Sequence, residues 1–219
     1  MMSKMSFVAV MSAVVLAGCG GSSGSSVSDL LNTQLERPAE NEVLQERQAF
    51  LDEFGPAIEN DDFADLSTLA TTGTATFDGL IGIGSNEVQQ IVDGDYVSRV
   101  RFVLDLGTNQ IDGVANGFVR QNDGSAVDGA LNFDGAFLRD SVATQTNFGA
   151  SGMVDGALTN AEGDVSTYDG TFEGDFFGEG VGAFESDADG TVQTVDADGN
   201  VVADAATVFD ADIITRREQ

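Results

Sequence analysis

The sequence predicts an all-β protein: a single eight-stranded antiparallel β-barrel with an N-terminal amphipathic helix. Three observations lead there. From Thr71 onward the hydrophobic pattern runs with a period of two over almost the whole remaining chain. Within that region the apolar face alternates bulky residues with glycine, as the cramped interior of a small closed barrel requires. Before Asn60 the spacing is helical instead.

The helical segment is "NEVLQERQAFLDEFGPAIEN", residues 41–60, which places Val43, Leu44, Phe50, Leu51 and Phe54 near one stripe. Gly55 and Pro56 are expected to stop it. Its apolar run covers barely two heptads, so packing on or beside the barrel is favoured over a coiled coil.

The first strand is expected over 73–83, with Ala75, Phe77, Gly79, Ile81 and Ile83 on one face and Thr74, Thr76 and Asp78 on the other. The second, 96–106, sets Tyr96, Val100, Phe102, Leu104 and Leu106 inward and Arg99, Arg101 and Asp105 outward. Six more read at about 110–120, 126–138, 147–159, 167–178, 181–186 and 206–215. The stretch "YDGTFEGDFFGEGVGAFES" states the scheme most fully. Tyr168, Gly170, Phe172, Gly174, Phe176 and Gly178 share one face, and Asp169, Thr171, Glu173, Asp175 and Glu179 the other; only Phe177 breaks the rule. Val127, Gly129, Leu131, Phe133, Gly135 and Phe137 repeat it. An open sandwich would not need glycine at so many core-facing positions, and closure removes aggregation-prone edges. A barrel crossing a membrane would have to show these glycines to lipid, so a water-soluble barrel is preferred.

The first eighteen residues read as a signal peptide. They hold one charge, Lys4, and an apolar run over 7–16 too short to span a bilayer as a helix. "LAGC" then resembles the bacterial lipoprotein signal, with Cys19 as the lipid-attachment residue and the link to the membrane. Gly20, rather than Asp, after the cysteine implies by the same resemblance the outer membrane, with periplasmic and external display both open. The expected organisation is a signal peptide over 1–18, a lipid-anchored flexible tether over 19–38 with "GGSSGSS" from Gly20 to Ser26, a helical extension over 39–70 and the barrel over 71–217.

Composition narrows the chemistry. The net charge is −28, and the chain has no histidine and a single cysteine. So acidic a surface repels nucleic acid and suits saline surroundings. Without histidine, Ser-His-Asp and Cys-His catalysis, histidine-ligated zinc and histidine-ligated haem are excluded, and an enzyme is not expected. No cofactor or metal is expected either. Tyr96 and Tyr168 could ligate haem iron, but both lie on apolar faces, where a core tyrosine is the stronger reading. Outward acids on strands read as solvation in preference to the carboxylate pair of a glycosidase. "ESDADGTVQTVD", Glu185 to Asp196, has EF-hand-like ligand spacing without flanking helices; it reads either as a calcium loop or, preferably, as hairpin turns at the two "DADG" repeats.

"TTGTATFDGLIGIG", "YDGTFEGDFFGEGVGAFES" and "ATVFDADIITRR" together resemble the β-barrel domain of the transferrin-binding protein B family and its small single-barrel relatives. Gly170, Phe172, Gly174, Phe176, Phe177 and Gly178 fit the family's Gly-x-Phe-x-Gly-x-Phe-Tyr-Gly strand. Gly182 and Phe184 follow its Gly-Gly-x-Phe with Ala183 between them, and Val208 and Phe209 fit its last strand, with Asp210 in place of glycine. The resemblance covers roughly 70–217. It implies a surface lipoprotein that binds without catalysis, in nutrient capture related to iron or haem; the larger members carry two lobes, and here there is one barrel. A small apolar-ligand carrier or a structural envelope lipoprotein is the alternative. Recognition is expected in the longer connections, 84–95, 139–146 and 188–205, whose acids suit a basic protein partner.

Overall fold

The computed structural model describes residues 27–84, 91, 94–139, 149–202 and 207–218. The signal segment and Cys19 lie outside them, as does most of two of the expected recognition connections. Eight antiparallel strands follow one another around a closed barrel: β1 (Thr74–Gly84), β2 (Tyr96–Asp105), β3 (Gln110–Arg120), β4 (Asp128–Phe137), β5 (Ala150–Thr159), β6 (Val165–Phe177), β7 (Ala183–Val195) and β8 (Thr207–Arg217). β8 closes on β1, with Ile81 opposite Ile213.

Alternation places the side chains as the sequence predicts. Phe77, Phe102, Phe133, Phe137, Phe172, Phe176 and Phe184 meet in one interior core. Phe102 packs on Phe133, Phe172 and Phe184 at ring separations of 5.1, 5.9 and 5.2 Å. Glycine makes this possible by register: Gly113 stands opposite both Phe102 and Phe133, Gly152 opposite Phe172, and Gly190 opposite Phe209. A Cβ on Gly113 would come within 2.6 Å of the Phe102 ring.

One bulge resets the alternation. Between Val97 and Arg99 the β2–β3 register slips, and Gly117 takes a φ of +79°, open to glycine without strain. Ile111, Gly113 and Ala115 face inward before it; after it Phe118 does, fully buried. Ser98 fills the irregularity, its hydroxyl donating to the Asn116 carbonyl at 2.6 Å.

Outside the barrel lie two helices, α1 (Val27–Leu31) and α2 (Glu40–Glu59). α2 buries Val43, Phe50 and Phe54 against Leu80, Val97, Phe177, Ala183 and Ile214 of the outer wall. That cover explains why Phe177 breaks the polar rule of its face. Leu44 of the predicted stripe stays exposed, and Leu51 is only partly buried. Nor does the helix stop at Gly55: it continues through Pro56 to Glu59. The ring deprives one helical carbonyl of its donor, yet Ala57 and Ile58 pack on the outer cluster, and the Asn60 side chain donates to the Pro56 carbonyl at 2.6 Å.

Part of the expected tether is docked. Leu35 N–H and Gln34 Nε2 donate to Asn116 Oδ1 at 2.8 and 3.0 Å, and Arg37 pairs with Asp128 at 2.7 Å. Downstream of α2, the chain over 61–70 crosses the barrel end where β6 finishes. Phe63 packs on Phe177, Ala64 N–H donates to the Phe176 carbonyl, and Leu66 and Leu69 join the interior core. Arg139 secures that end, donating to the Leu69 and Leu106 carbonyls at 2.8 and 2.9 Å.

Candidate functional site

The barrel has two unlike sides. On the β8–β1–β2 side, Asp78 stands between Arg101 and Arg216 in register. Arg101 grips it with two bonds of 2.6 Å, and Arg99 reaches out to Glu46 of α2 at 2.8 Å and to Glu42 at 3.6 Å. Burial pushes Asp78 up, but the Arg101 guanidinium outweighs it and holds the carboxyl below its ordinary range. A cleft of about 330 Å³ runs here between α2 and the wall, lined by charges of both signs, Glu46, Asp78, Arg99 and Arg216 among them.

On the β4–β8 side most outward positions carry acids, threonines and small residues, with Met153 and Val208 exposed among them, and no lysine or arginine stands outward on β4 to β7. Three rows cross the strands. Asn132, Asp155, Asp169 and Thr191 form one; Asp134, Met153, Thr171, Asp189 and Asp210 the next; Ser151, Glu173, Asp187 and Asp212 the third. Arginine meets this side at its margins, Arg37 pairing with Asp128 at the start of β4 and Arg47 of α2 favouring the charged form of Asp212, while Arg120 faces Asp123 and Glu162 at 3.8 and 3.6 Å. Between those margins the wall is a field of one sign, which attracts cations from beyond contact distance. No family model, no curated protein and no solved structure matches this chain.

The sequence-predicted candidates fall as follows. Tyr168 is buried in the core, edge-on to Phe209 at 5.3 Å, and burial pushes its phenol well above the ordinary range. Tyr96 is partly buried against the same core and hydrogen-bonds to Arg120. The EF-hand reading of Glu185–Asp196 is overturned. Residues 183–195 form one continuous strand, whose alternation sends Ser186 and Ala188 inward and Glu185, Asp187 and Asp189 outward, so the carboxylates cannot curl around an ion. Among the described residues no group of acids is placed to hold a metal. The same strand corrects the turn expected at the first "DADG". Only the second is a turn, in which Asp196 accepts from the backbone of Asp198 and Asn200. The expected connection over 188–205 is therefore strand for its first half, and β7 is longer than the predicted 181–186 because Gly190 continues the interior alternation opposite Gly170.

Sequence reasoning missed Glu185 and Asp212 as a distinct pair. Both are half-buried on the outer wall, Glu185 opposite Ile214 and Asp212 opposite Asp187. Burial, then Asp212, Asp187 and Asp175, push the Glu185 carboxyl up to about 7. Burial and then Asp187 push Asp212 up to about 7, against the Ile91 N–H and Arg47, which favour its charged form. No local signal marks them, because their neighbours belong to other strands.

Proposed function

We propose that the protein is an outer-membrane or surface-anchored lipoprotein, a non-enzymatic binding module of the transferrin-binding protein B-like barrel class. In this reading it works in nutrient capture, iron or haem carriers included, by presenting an acidic surface to a basic protein partner. The observation that carries the reading is the β4–β8 wall, a predominantly acidic field on a closed scaffold that arginine meets only at its margins, at Asp128 and Asp212. An interior filled by phenylalanine rings supports recognition on the outside over an apolar ligand in a calyx. The β7–β8 connection leaves two strands of this wall, so loop contacts there would extend it.

The test is retention of partners by the tagged protein from its native envelope at 0.05 and 0.5 M salt. A basic protein retained at low salt, lost at high salt, and lost when Asp155, Asp169 and Asp189 are changed together to Asn supports the reading. Retention indifferent to both salt and the triple change overturns it.

A further inference from the structure

The register of β6, β7 and β8 sets carboxylate against carboxylate. Glu185 faces Asp175, Asp187 faces Glu173 on one side and Asp212 on the other, and Asp189 faces Asp210. Side chains directly opposite have Cβ atoms about 4.5–5.5 Å apart, where like charges destabilise a sheet. Exposed members of such rows are relieved by water. Glu185 and Asp212 are half-buried and less easily relieved.

On the same outward face of β8, Arg216 stands one step beyond Ile214, opposite Ala183, and Asp210 one step beyond Asp212, opposite Asp189. From α2, Arg47 favours the charged form of Asp212, and the Ile91 N–H donates to it. Across β6, Asp175 accepts the Gly149 N–H at 2.7 Å and faces the charge of Asp61 after α2. Glu185 meets three carboxylates, those of Asp212, Asp187 and Asp175, and no cation counts among the charges that shift it.

We propose that this wall is a pH-sensitive device: register sets the carboxylates of β6, β7 and β8 face to face around the half-buried Glu185 and Asp212, so that mild acidification relieves their repulsion and stabilises the barrel. The sign follows from linkage. Both carboxyls titrate near 7 when folded and near 4 when unfolded, so between those values the folded chain holds more protons. Stability therefore rises as pH falls from about 7.5 toward about 4.5, and the gain is complete below the unfolded values. Salt supplies relief by another route, since the Debye length shrinks from about 10 Å at 0.1 M to about 3 Å at 1 M. The device belongs to the barrel itself and needs no partner.

The experiment measures urea midpoints of the full-length protein at pH 8, 7, 6 and 5 in 0.05 M and 1 M sodium chloride, beside a Glu185→Gln/Asp212→Asn double variant. The wild-type midpoint should climb at each acid step in low salt and climb less in high salt. The variant should begin higher at pH 8 and lose at least half of the climb. A wild-type midpoint that is flat or falls on acidification, or a variant that keeps the whole climb, overturns the proposal. If the variant does not fold, carboxyl carbon-13 titration of the wild-type protein decides: midpoints above 6 for both groups support the proposal, and ordinary values near 4 sink it.

Discussion

The ring of Phe172 occupies the space in which a side chain on Gly152, its register partner on β5, would begin: a Cβ there would lie 2.6 Å from Cε1. Gly135 next to it meets the same ring, its own Cβ falling 2.9 Å from Cζ. Two strands thus surrender their side chains to one aromatic, and the ring reaches the Phe102 and Phe133 cluster.

Gly152→Ala should therefore destabilise the barrel by about 1–3 kcal/mol through overpacking. Phe172→Ala should cost about 3–5 kcal/mol. Glu173→Ala, one residue on but outward and exposed, should stay within about 0.5 kcal/mol. Chemical denaturation of the three variants checks the facing. Equal losses at 172 and 173 would contradict it.

The hold of α2 on the wall is apolar first and ionic second. Phe50 and Phe54 sit 5.3 Å apart over Leu80, Phe177 and Ile214, whereas Arg99 meets Glu46 in a partly exposed pair. Phe50→Ala should cost about 3–5 kcal/mol, and Glu46→Gln about 0.2–1 kcal/mol. Hydrogen exchange should localise the Phe50→Ala effect to α2, β1 and β8. Loss of protection spread evenly over β4 and β5 would show that the helix is no separate layer.

Ser186 carries a buried hydroxyl without a hydrogen-bond partner, inside the barrel opposite Gly174. A lone buried polar group costs about 1–3 kcal/mol, so Ser186→Ala should leave stability unchanged or raise it by up to that amount. Ser186→Val should instead lower it, because the neighbouring strand already approaches too closely for a Cβ on Gly174. Thermal melts should show a fall for Ser186→Val and none for Ser186→Ala. A clear fall for Ser186→Ala would reveal a partner for the hydroxyl.

The anchor is tested at Cys19. Cys19→Ser should leave the precursor unprocessed or release the protein from membranes, read by fractionation and by the mass of the mature N-terminus. A variant that still matures and partitions as the wild type does would remove the lipid anchor from the account.

Local alternation located the eight strands and most of the residues that face in, because side-chain direction in a regular strand reverses with every residue whatever the partner; it missed the length of β7 and the bulge of β3. Phe133, Phe172 and Phe176 could be placed in the core from that rule, and Phe177 marked as its exception. Even the glycines were legible as space left for aromatics. Which ring each one serves was not, since Gly113 and Phe102, or Gly190 and Phe209, meet only through register.

Tertiary structure alone decided the rest, and for one physical reason: pairing and docking join residues far apart in the chain. The patch under α2 draws one buried residue from each of β1, β2, β6, β7 and β8, none apolar enough in its own strand to announce a binding face. Burial beneath that helix also carried α2 past Pro56, which local propensity reads as a stop. "DADG" occurs twice, and only the strand beside it settles its form: the first copy is held straight by β6 and β8, and the second turns. The opposition of Asp187 to Asp212 belongs to the same class, a repulsion written in no segment of the sequence and created when β7 and β8 come into register.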